Sequence, residues 1–263
     1  PQARTLCPPA GQAGIRRQME QLKREYEKQD RMRRDFTANV SHELKTPLTS
    51  TSGYAEIIRE GMVKSEDVGR FAGKIYEEAQ RLITLVEDIL NLSHLDEGAP
   101  GQERRQGIDL YALCERAVAS LAEAARQRGI AISLTGSRQR VDGAEKLLAE
   151  IIFNLCDNAI KYNQENGHVA VSVTREGDRV VLTVQDTGIG IPPGETDRVF
   201  ERFYRVDKSH SRRVGGTGLG LSIVRDTVRR HGGWITAQRR QPEGSVFTAG
   251  FPCETPEVGG EPL

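Results

Sequence analysis

Two stretches in the N-terminal third of the chain repeat apolar residues at alternating steps of four and three, which is the seam of a coiled coil. The first stretch contains Ile15, Met19, Leu22 and Tyr26, and the second contains Ile75, Ala79, Leu82, Val86 and Ile89. The pattern predicts one helix from about Ile15 through His42 to about Glu60, a turn over residues 61–66, and a second helix after it. Together the two helices form an antiparallel helical hairpin.

A hairpin with one narrow apolar stripe on each helix cannot build a complete core by itself. We therefore expect this part of the chain to pair with a second copy of itself as a four-helix bundle, so that the protein is a homodimer. The alternative is a monomeric helical spacer, which would leave the apolar stripe exposed to water.

The remainder of the chain alternates between helix and strand patterns. The predicted helices are 110–128, 144–162 and 219–231, and the predicted strands are 130–134, 169–173, 180–184, 234–238 and 245–251. Helices interspersed with a meandering, largely antiparallel sheet indicate a two-layer α/β sandwich. The predicted fold class is therefore a helical hairpin followed by an α/β sandwich.

Turn-forming and charged residues over 96–107 mark the boundary between these two parts. We expect a disordered linker or cloning remnant at 1–14, the hairpin at 15–96, a linker at 97–107, the sandwich at 108–253 and a disordered tail at 254–263. Because the chain starts at Pro1 rather than at methionine, we interpret it as a fragment of a longer protein.

The composition excludes several classes of protein. The 37 Lys and Arg residues balance 37 Asp and Glu residues, so charge predicts neither a nucleic-acid partner nor a polybasic membrane surface. The four cysteines are scattered without CxxC spacing, which argues against a zinc site and a disulfide framework and favours a reducing cytoplasm. The sequence contains no run of about 18 apolar residues, so no transmembrane helix is predicted in it.

The segment Ser-His-Glu-Leu-Lys-Thr-Pro-Leu-Thr places His42 on a charged helix without a second metal-ligand residue at helical spacing. A neutral imidazole is a good nucleophile, so this histidine is a candidate reactive residue. Thr46 lies one turn further on the same face, whereas Glu43 can reach the ring only from the flank. Pro47 removes the hydrogen bond to the carbonyl of Glu43 and predicts a bend directly after His42.

The predicted helix 144–162 has a buried stripe and a polar face. The stripe consists of Leu148, Ile151, Ile152, Leu155 and Ala159, and the polar face carries Asn154, Asn158, Lys161 and Tyr162. Amide oxygens suit Mg²⁺ that bridges nucleotide phosphates, and a lysine supplies a point charge for those phosphates. Taken alone, this face would be an ordinary solvated helix surface.

Two glycine-rich motifs support a nucleotide site. Asp186-Thr-Gly-Ile-Gly190 follows a predicted strand, where a carboxylate can accept a hydrogen bond from an amine such as that of adenine. Gly215-Gly-Thr-Gly-Leu-Gly220 opens the last helix, whose N-terminal amides can bind phosphate. A single glycine run is weak support, but these motifs combined with the asparagine face are specific.

The order of these motifs resembles the kinase core of bacterial sensor histidine kinases of two-component signalling, over about residues 30–252. The similar segments are Ser41–Leu48 (H box), Asn154–Tyr162 (N box), Asp186–Gly190 (first glycine box), Phe200–Arg205 (F box) and Gly216–Leu221 (second glycine box). The intervening lid, Val206–Val214, is similar to that of phosphate-sensor-type kinases. The resemblance implies an ATP-binding sandwich of the histidine kinase and gyrase type.

The same resemblance implies roles for individual residues. His42 would accept the γ-phosphoryl group of ATP, Glu43 would orient its ring and take its proton, and Thr46 would orient water for dephosphorylating the partner regulator. Arg202 or Arg205 would stabilise charge on the transferred group, and the sequence does not decide between the two arginines. The implied nucleotide-binding set is Asn154, Asn158, Lys161, Tyr162, Asp186, Gly188, Gly190, Gly216, Thr217, Gly218, Leu219 and Gly220.

Within that set, Asn158 and Asn154 would hold Mg²⁺, Lys161 and the amides of Gly218–Gly220 would hold phosphates, and Tyr162 would lie against the adenine that Asp186 binds. The expected partners are a second copy of the chain and the receiver domain of a response regulator, whose aspartate takes the phosphoryl group. We expect a cytoplasmic location, with a sensor and membrane spans in a missing upstream segment. The handedness of the turn at residues 61–66 decides between transfer within and between subunits, and the sequence leaves it open.

Other interpretations fit less well. A zinc protease needs a second histidine where Thr46 stands, and aspartic proteases need two Asp-Thr-Gly carboxylates. P-loop and Ser/Thr-kinase motifs are absent from the sequence. The main alternative is an ATPase of the same fold, but Asn154 occupies the position of the water-activating glutamate. A third is a signalling coiled coil with a degenerate pocket, a pseudokinase dimer.

No catalytic role is assigned to the remaining histidines, His94, His168, His210 and His231. His94 and His231 are interpreted as surface or C-terminal helix residues, and His210 as a solvated residue of the lid.

Overall fold

The computed structural model describes residues 10–96, 105–207 and 216–253. These residues form five α-helices and seven β-strands. The chain divides into two compact units between Ala79 and Gln80, inside the second helix. Residues 1–9, the predicted linker over 97–104, the lid over 208–215 with His210, and the tail over 254–263 lie outside the described residues.

The first unit contains helix α1, Ala10–Arg59, and the start of helix α2, Val68–Asp96. α1 begins ahead of the predicted start, so residues 10–14 are helical and the prediction of a disordered linker there is wrong. Ala10, Gln12 and Ala13 are good helix formers, whereas the glycines at 11 and 14 are not, which is why the sequence pattern did not reveal this turn. Pro47 lies inside α1 without ending it, and the bend after His42 stays a prediction.

The two helices are joined by a turn that a glycine makes possible. Gly61 has a φ of +65°, its N–H donates to the carbonyl of Ile58 at 3.1 Å, and the N–H of Met62 donates to that of Ile57 at 3.0 Å. This pair of bonds is the Schellman pattern that ends a helix. Across the turn, the rings of Tyr54 and Phe71 meet edge to face at 5.8 Å, as the predicted hairpin requires.

The second unit adds three helices and all seven strands to the end of α2. The helices are α3 (Leu110–Gln127), α4 (Glu145–Lys161) and α5 (Gly220–Arg230). The strands are β1 (Arg105–Asp109), β2 (Ala131–Gly136), β3 (Arg140–Gly143), β4 (His168–Glu176), β5 (Arg179–Asp186), β6 (Trp234–Arg239) and β7 (Ser245–Pro252). Five strands form a sheet in the order β2-β4-β5-β7-β6, in which only the β2–β4 pair is parallel. The predicted α/β sandwich is confirmed.

Alternation along the strands explains why one face of the sheet packs on the helices. Val169, Val171 and Val173 of β4 are fully buried, as are Leu182 and Val184 of β5. They share one core with the apolar residues of α3, α4 and α5. The stripe predicted on α4, Leu148 to Ala159, is buried in that core, so its polar face must point elsewhere.

A second, two-stranded sheet was not predicted. β1 pairs antiparallel with β3, and both strands are short and polar, which leaves almost no periodic signal. Because β1 begins at Arg105, the predicted linker extends too far by three residues, 105–107. The side chain of Asp109 then caps α3 by accepting a hydrogen bond from the N–H of Ala112 at 3.1 Å.

His231 lies directly after the last residue of α5, as the helix-end interpretation predicts, but it is buried, with only 6% of its surface exposed. Its Nε2 accepts a hydrogen bond from the N–H of Ala144 at 3.2 Å, and its Nδ1 lies 2.8 Å from the carbonyl oxygen of Thr227. The two contacts fit a neutral ring protonated at Nδ1. His231 therefore joins the end of α5 to the start of α4, whereas His168 is exposed.

Among the described residues, no helix is both long enough and apolar enough to cross a bilayer.

Candidate functional site

A cavity of about 510 Å³ in the second unit brings most of the predicted site residues together. Its volume falls in the range of small-molecule sites, about 300–1,000 Å³. The predicted residues that line it are Asn154, Asn158, Lys161, Tyr162, Asp186, Gly190, Arg205, Gly216, Thr217, Gly218 and Gly220. Gly188, Leu219 and Arg202 are not among the residues that line it.

Helix α4 supplies one wall of the cavity because its opposite face is buried in the core. Asn154 and Asn158 are four residues apart and partly exposed on this wall, and Lys161 follows one turn later. The ammonium of Lys161 forms an ion pair with Asp157 at 2.6 Å. An ideal Cβ at Gly220 would lie 3.3 Å from Oδ1 of Asn154, so this amide oxygen is next to the first turn of α5.

Asp186 ends strand β5 and is 4% exposed. Its Oδ1 accepts hydrogen bonds from the N–H groups of Gly188 at 2.8 Å and Ser245 at 3.1 Å. Burial raises the pKa of this carboxyl above its usual value, and the hydrogen bonds partly offset that effect. Two main-chain hydrogen bonds therefore hold this carboxyl group in place at the cavity.

The glycine that follows Asp186 is required by close main-chain contact. A Cβ at Gly188 would lie 2.2 Å from the carbonyl oxygen of Tyr162, a distance that no side chain tolerates. The N–H of Ile189 donates to the same carbonyl at 3.1 Å. Although Gly188 does not line the cavity, it holds the loop after β5 against the end of α4.

The second glycine loop leads into α5 and leaves the helix start open to an anion. Leu219 precedes the first residue of α5 and has no side chain that can cap the helix, so the N–H groups of the first turn have no such partner. Gly218 has a φ of +76°. The hydroxyl of Thr217 accepts from the N–H of Leu219 at 3.3 Å. Such a helix start favours phosphate.

The two candidate arginines differ in position. Arg205 lines the cavity and donates to the carbonyl oxygen of Thr217 at 2.9 Å. Arg202 instead pairs with Asp226 of α5 at 3.2 Å. The geometry therefore favours Arg205 as the arginine that can meet an anion in the cavity.

Sequence reasoning missed the contribution of α2. Thr84, Glu87, Asp88 and Asn91 line the cavity, although α2 was assigned only to the hairpin. The spacing of these four polar residues, one face of a helix over two turns, is a signal that could have revealed them. Glu150 and Asp157 of α4 also line the cavity and were not predicted.

The first unit carries the other predicted residues. His42 is exposed on α1, Glu43 is partly buried, and the hydroxyl of Thr46 donates to the carbonyl oxygen of His42 at 3.2 Å. In the part of the chain that the structure describes, no group of three or more His, Cys, Asp and Glu side chains could hold a metal ion. An amide-lined site such as Asn154 and Asn158 suits a metal that also has phosphate ligands.

The fold and the cavity define a nucleotide-binding domain that follows a helical hairpin with an exposed histidine. Residues 143–255 match the family model "Histidine kinase-, DNA gyrase B-, and HSP90-like ATPase", and residues 32–98 match "His Kinase A (phospho-acceptor) domain". The chain belongs to the two-component sensor histidine kinases and carries both of their kinase-core domains.

Known relatives agree with this family. The chain is 38% identical over 232 residues to the sensor histidine kinase WalK of Bacillus subtilis, covering 87% of this chain and 38% of WalK. It is 38% identical over 247 residues to the sensor-like histidine kinase SenX3 of Mycobacterium tuberculosis, covering 90% of this chain and 60% of SenX3. It thus spans less than two thirds of either relative.

Among solved structures, the histidine kinase ThkA in complex with the response regulator protein TrrA is similar with a TM-score of 0.68 and 25% identity. The similarity covers 89% of this chain and 67% of that one.

Proposed function

We propose that this chain is an ATP-dependent protein-histidine kinase that autophosphorylates on His42. The observation that carries the proposal is the cavity in which Asp186, the amide face of α4 and the glycine loop before α5 meet. When bound there, ATP would supply the γ-phosphoryl group and Mg²⁺ would neutralise phosphate charge. The phosphoacceptor domain supplies an exposed histidine on α1.

The chain's own side chains divide the work of binding. Asp186 accepts a hydrogen bond from the adenine amine, and Tyr162 lies against the base. Asn158, with Asn154, offers amide oxygens to Mg²⁺. Lys161 and the amides of Gly218–Gly220 bind phosphate oxygens, to which the open start of α5 adds a favourable dipole.

In the transfer step, one imidazole nitrogen of His42 forms a bond to the γ-phosphorus while the bond from that phosphorus to the leaving oxygen of ADP breaks. The proton on the other imidazole nitrogen passes to the carboxylate of Glu43, which keeps the product uncharged at the ring. Arg205 stabilises negative charge on the transferred group. Asn154 cannot take a proton from water, so hydrolysis of ATP stays slow.

We further propose that the phosphoryl group passes from His42 to an aspartate of a response regulator. Its carboxylate oxygen forms the new bond to phosphorus and the N–P bond breaks. The proton held by Glu43 returns to the imidazole ring, so His42 returns to its original neutral state. The similarity to ThkA, which was solved with the regulator TrrA, supports this class of partner. Mixing phosphorylated protein with a purified receiver domain should move the label, unless that domain's phosphoacceptor aspartate is replaced by asparagine.

The reverse reaction is assigned to Thr46. Because its hydroxyl hydrogen is used on the carbonyl of His42, the hydroxyl oxygen can accept a hydrogen bond from a water molecule. Thr46 would orient that water against the phosphorylated regulator. T46A should lose regulator dephosphorylation while autophosphorylation continues, and T46S, which keeps the hydroxyl, should retain both.

We also propose that the chain is a homodimer through its helical hairpin. The predicted heptad residues Met19, Leu22 and Tyr26 are exposed on α1, and such a stripe is stabilised by pairing. Sedimentation equilibrium should give twice the chain mass. Mixing D186N, in which nucleotide binding is weakened, with H42Q tests the direction of transfer. At an ATP concentration that does not label D186N alone, label appears only if transfer crosses the dimer.

The location follows from the substrates. ATP and response regulators are found in the cytoplasm, so we assign the kinase core to the cytoplasmic side, with membrane attachment only through a segment outside this sequence. Protease protection of the full-length protein in spheroplasts checks this location. Cleavage of the kinase core from the outside would contradict it.

Incubation with γ-labelled ATP and Mg²⁺ tests the central proposal. A histidine kinase gives labelled protein that is labile in acid and stable in base, and H42Q abolishes the label. Free phosphate without labelled protein would instead support an ATPase of the same fold. If neither product forms, the pocket is degenerate and the chain is a pseudokinase. If label persists in H42Q, His42 is not the phosphorylated residue.

A further inference from the structure

The last turns of α2 place a carboxylate inside the cavity. Oδ2 of Asp88 accepts a hydrogen bond from the hydroxyl of Thr217 at 2.6 Å. Thr217 belongs to the glycine loop and is buried. An acidic side chain is thus bonded to the same loop whose amides are arranged for an anion.

A second contact lies one turn further along α2. Nδ2 of Asn91 donates to Oε1 of Glu150, on α4, at 2.7 Å. Asp88 and Asn91 are three residues apart and therefore share a helix face. The end of α2 is held at two points, by the glycine loop and by α4, and both contacts lie at the wall of the cavity.

Two groups that act on Asp88 would also suit a phosphate group. Lys161 attracts the Asp88 carboxylate, while burial raises the pKa of that carboxyl and the Thr217 hydrogen bond opposes the rise. The ammonium of Lys161 and the hydroxyl of Thr217 are the two groups that favour its charged form. Both are among the residues assigned to the nucleotide.

We infer that Asp88 is a built-in competitor for the nucleotide phosphates, so that nucleotide binding and docking of the end of α2 oppose each other. The inference rests on the proposed function, because it takes the cavity to be the ATP site. A phosphate group bound at the Thr217 hydroxyl would lie next to the Asp88 carboxylate, and two anions that close together repel each other strongly. Binding therefore selects the arrangement in which Asp88 has left the loop, and the docked fraction weakens the apparent affinity.

The consequence is a link between nucleotide and helix. α2 is continuous from Val68 to Asp96, so a nucleotide that displaces Asp88 removes the hydrogen bond to Thr217 that helps to hold the helix end. The hydrogen bond between Asn91 and Glu150 and the burial of Leu92 remain. Nucleotide binding should therefore loosen the last turns of α2.

The affinity test uses isothermal titration calorimetry of the full chain with the non-hydrolysable analogue AMP-PNP and Mg²⁺. D88N keeps the shape of the side chain and removes its charge, and the Kd should fall about tenfold as competition weakens. E87Q removes the same charge from the adjacent cavity residue, which does not bond to Thr217, and should change the Kd less than about twofold. Equal effects of D88N and E87Q would mean general electrostatics rather than a specific competitor.

Hydrogen exchange gives a readout independent of activity. In the unmodified chain, AMP-PNP should speed amide exchange over residues 84–96. In D88N, whose neutral amide oxygen can stay bonded to Thr217 beside the phosphates, the analogue should change this exchange less. If the analogue binds both chains with the same Kd and leaves this exchange unchanged, the competition is absent and the nucleotide site stands. If it binds neither chain, the proposed function fails and the inference fails with it.

Discussion

The main-chain N–H of Phe203 donates a hydrogen bond to the carbonyl oxygen of Gly218 at 2.8 Å. Both residues have left-handed backbone, with φ values of 64° and 76°. A phenylalanine in this region costs about 1–3 kcal/mol, so the surroundings must hold it there. The bond joins the end of the F box to the second glycine loop, and with the Arg205 contact to Thr217 it fixes that loop at the cavity.

Replacing Gly218 with alanine tests this arrangement. The new Cβ would lie 3.0 Å from both Cα and the carbonyl carbon of Phe203, in a backbone conformation that alanine adopts only with strain. We expect nucleotide binding to weaken about tenfold or more, because a distortion costing about 1–3 kcal/mol falls on the phosphate loop. Titration with AMP-PNP measures the loss, and circular dichroism checks that the fold is kept.

Gly177 provides a matched control. It has a φ of +61°, and an added Cβ would meet nothing within 4 Å. G177A should therefore carry similar backbone strain in the β4–β5 turn and leave the Kd unchanged. If G177A weakens nucleotide binding as much as G218A does, the effect comes from general destabilisation.

Asp186→Asn separates the two tasks of this carboxylate. The asparagine oxygen can still accept from the N–H groups of Gly188 and Ser245, so the loop is kept. Its side-chain amide then presents a hydrogen-bond donor where the adenine amine needs an acceptor. Because these two donors stay unpaired, ATP binding should weaken about 10- to 100-fold. Calorimetry measures this affinity. D178N, the same change in an exposed turn, should bind ATP like the unmodified chain.

Arg205 should be more important for catalysis than Arg202. R205A removes the guanidinium that lines the cavity, and autophosphorylation should slow about a hundredfold or more, because a donor aimed at developing charge is lost. A smaller change in AMP-PNP affinity than in rate is expected. Single-turnover labelling with γ-labelled ATP gives the rate.

R202A is the companion variant. It breaks the ion pair with Asp226, at 3.2 Å, which supports the F box against α5. A partly exposed pair of this kind contributes about 1 kcal/mol or less, so the rate should fall only a few fold. A larger loss of rate in R202A than in R205A would reverse the assignment of the two arginines.

The features that the sequence predicted are those that depend on residues close together along the chain. The stripe of α4 repeats over four turns, so burial of Leu148 and Ile152 follows from periodicity and sends Asn154 and Asn158 to the opposite face. The glycine motifs at Asp186 and Gly218 can be recognised in the sequence because few residues other than glycine tolerate such close main-chain contacts or a positive φ. These elements coincide with the cavity in the structure.

The unpredicted features depend on contacts between distant segments. Asp88 meets Thr217 across 129 positions, and no local pattern reports which face of α2 a neighbouring loop will touch. The burial of His231 likewise depends on Ala144, 87 positions away. A short polar strand such as β1 gains its identity only from pairing with β3.

His231 gives a stability prediction that is separate from nucleotide binding. H231A would leave the N–H of Ala144 and the carbonyl of Thr227 without their partner and would open a cavity beside the ring of Phe251. We expect a loss of about 2–4 kcal/mol in the free energy of unfolding. Urea unfolding followed by Trp234, the only tryptophan and a residue of β6, measures the second unit alone.

The exposed His168 supplies the comparison for H231A. Its Nε2 lies 3.1 Å from the hydroxyl of Ser133 at the surface, where water can replace the bond. H168A should change the free energy of unfolding by less than about 0.5 kcal/mol. Similar losses in the two variants would show that burial of His231 is not the cause.

Asp88 predicts a pH dependence of stability with a definite sign. Burial raises the pKa of its carboxyl above the ordinary 3.8, so the folded chain holds this proton more tightly than the unfolded chain. As pH rises from 3.8 through the raised value, the unfolded state loses the proton first and the free energy of unfolding falls. The side-chain amide of D88N cannot titrate, so this variant lacks that fall.

The measurement compares urea unfolding of the unmodified chain and D88N, followed by Trp234, between about pH 4 and pH 7. The free energy of unfolding of D88N minus that of the unmodified chain should increase with pH across this window. The total increase should be about 1.4 kcal/mol for each pH unit by which folding raises the pKa of Asp88. All other titrating groups are shared by the two chains, so they contribute little to the difference. A difference that stays flat or decreases with pH would contradict the burial of a carboxyl with a raised pKa at this position.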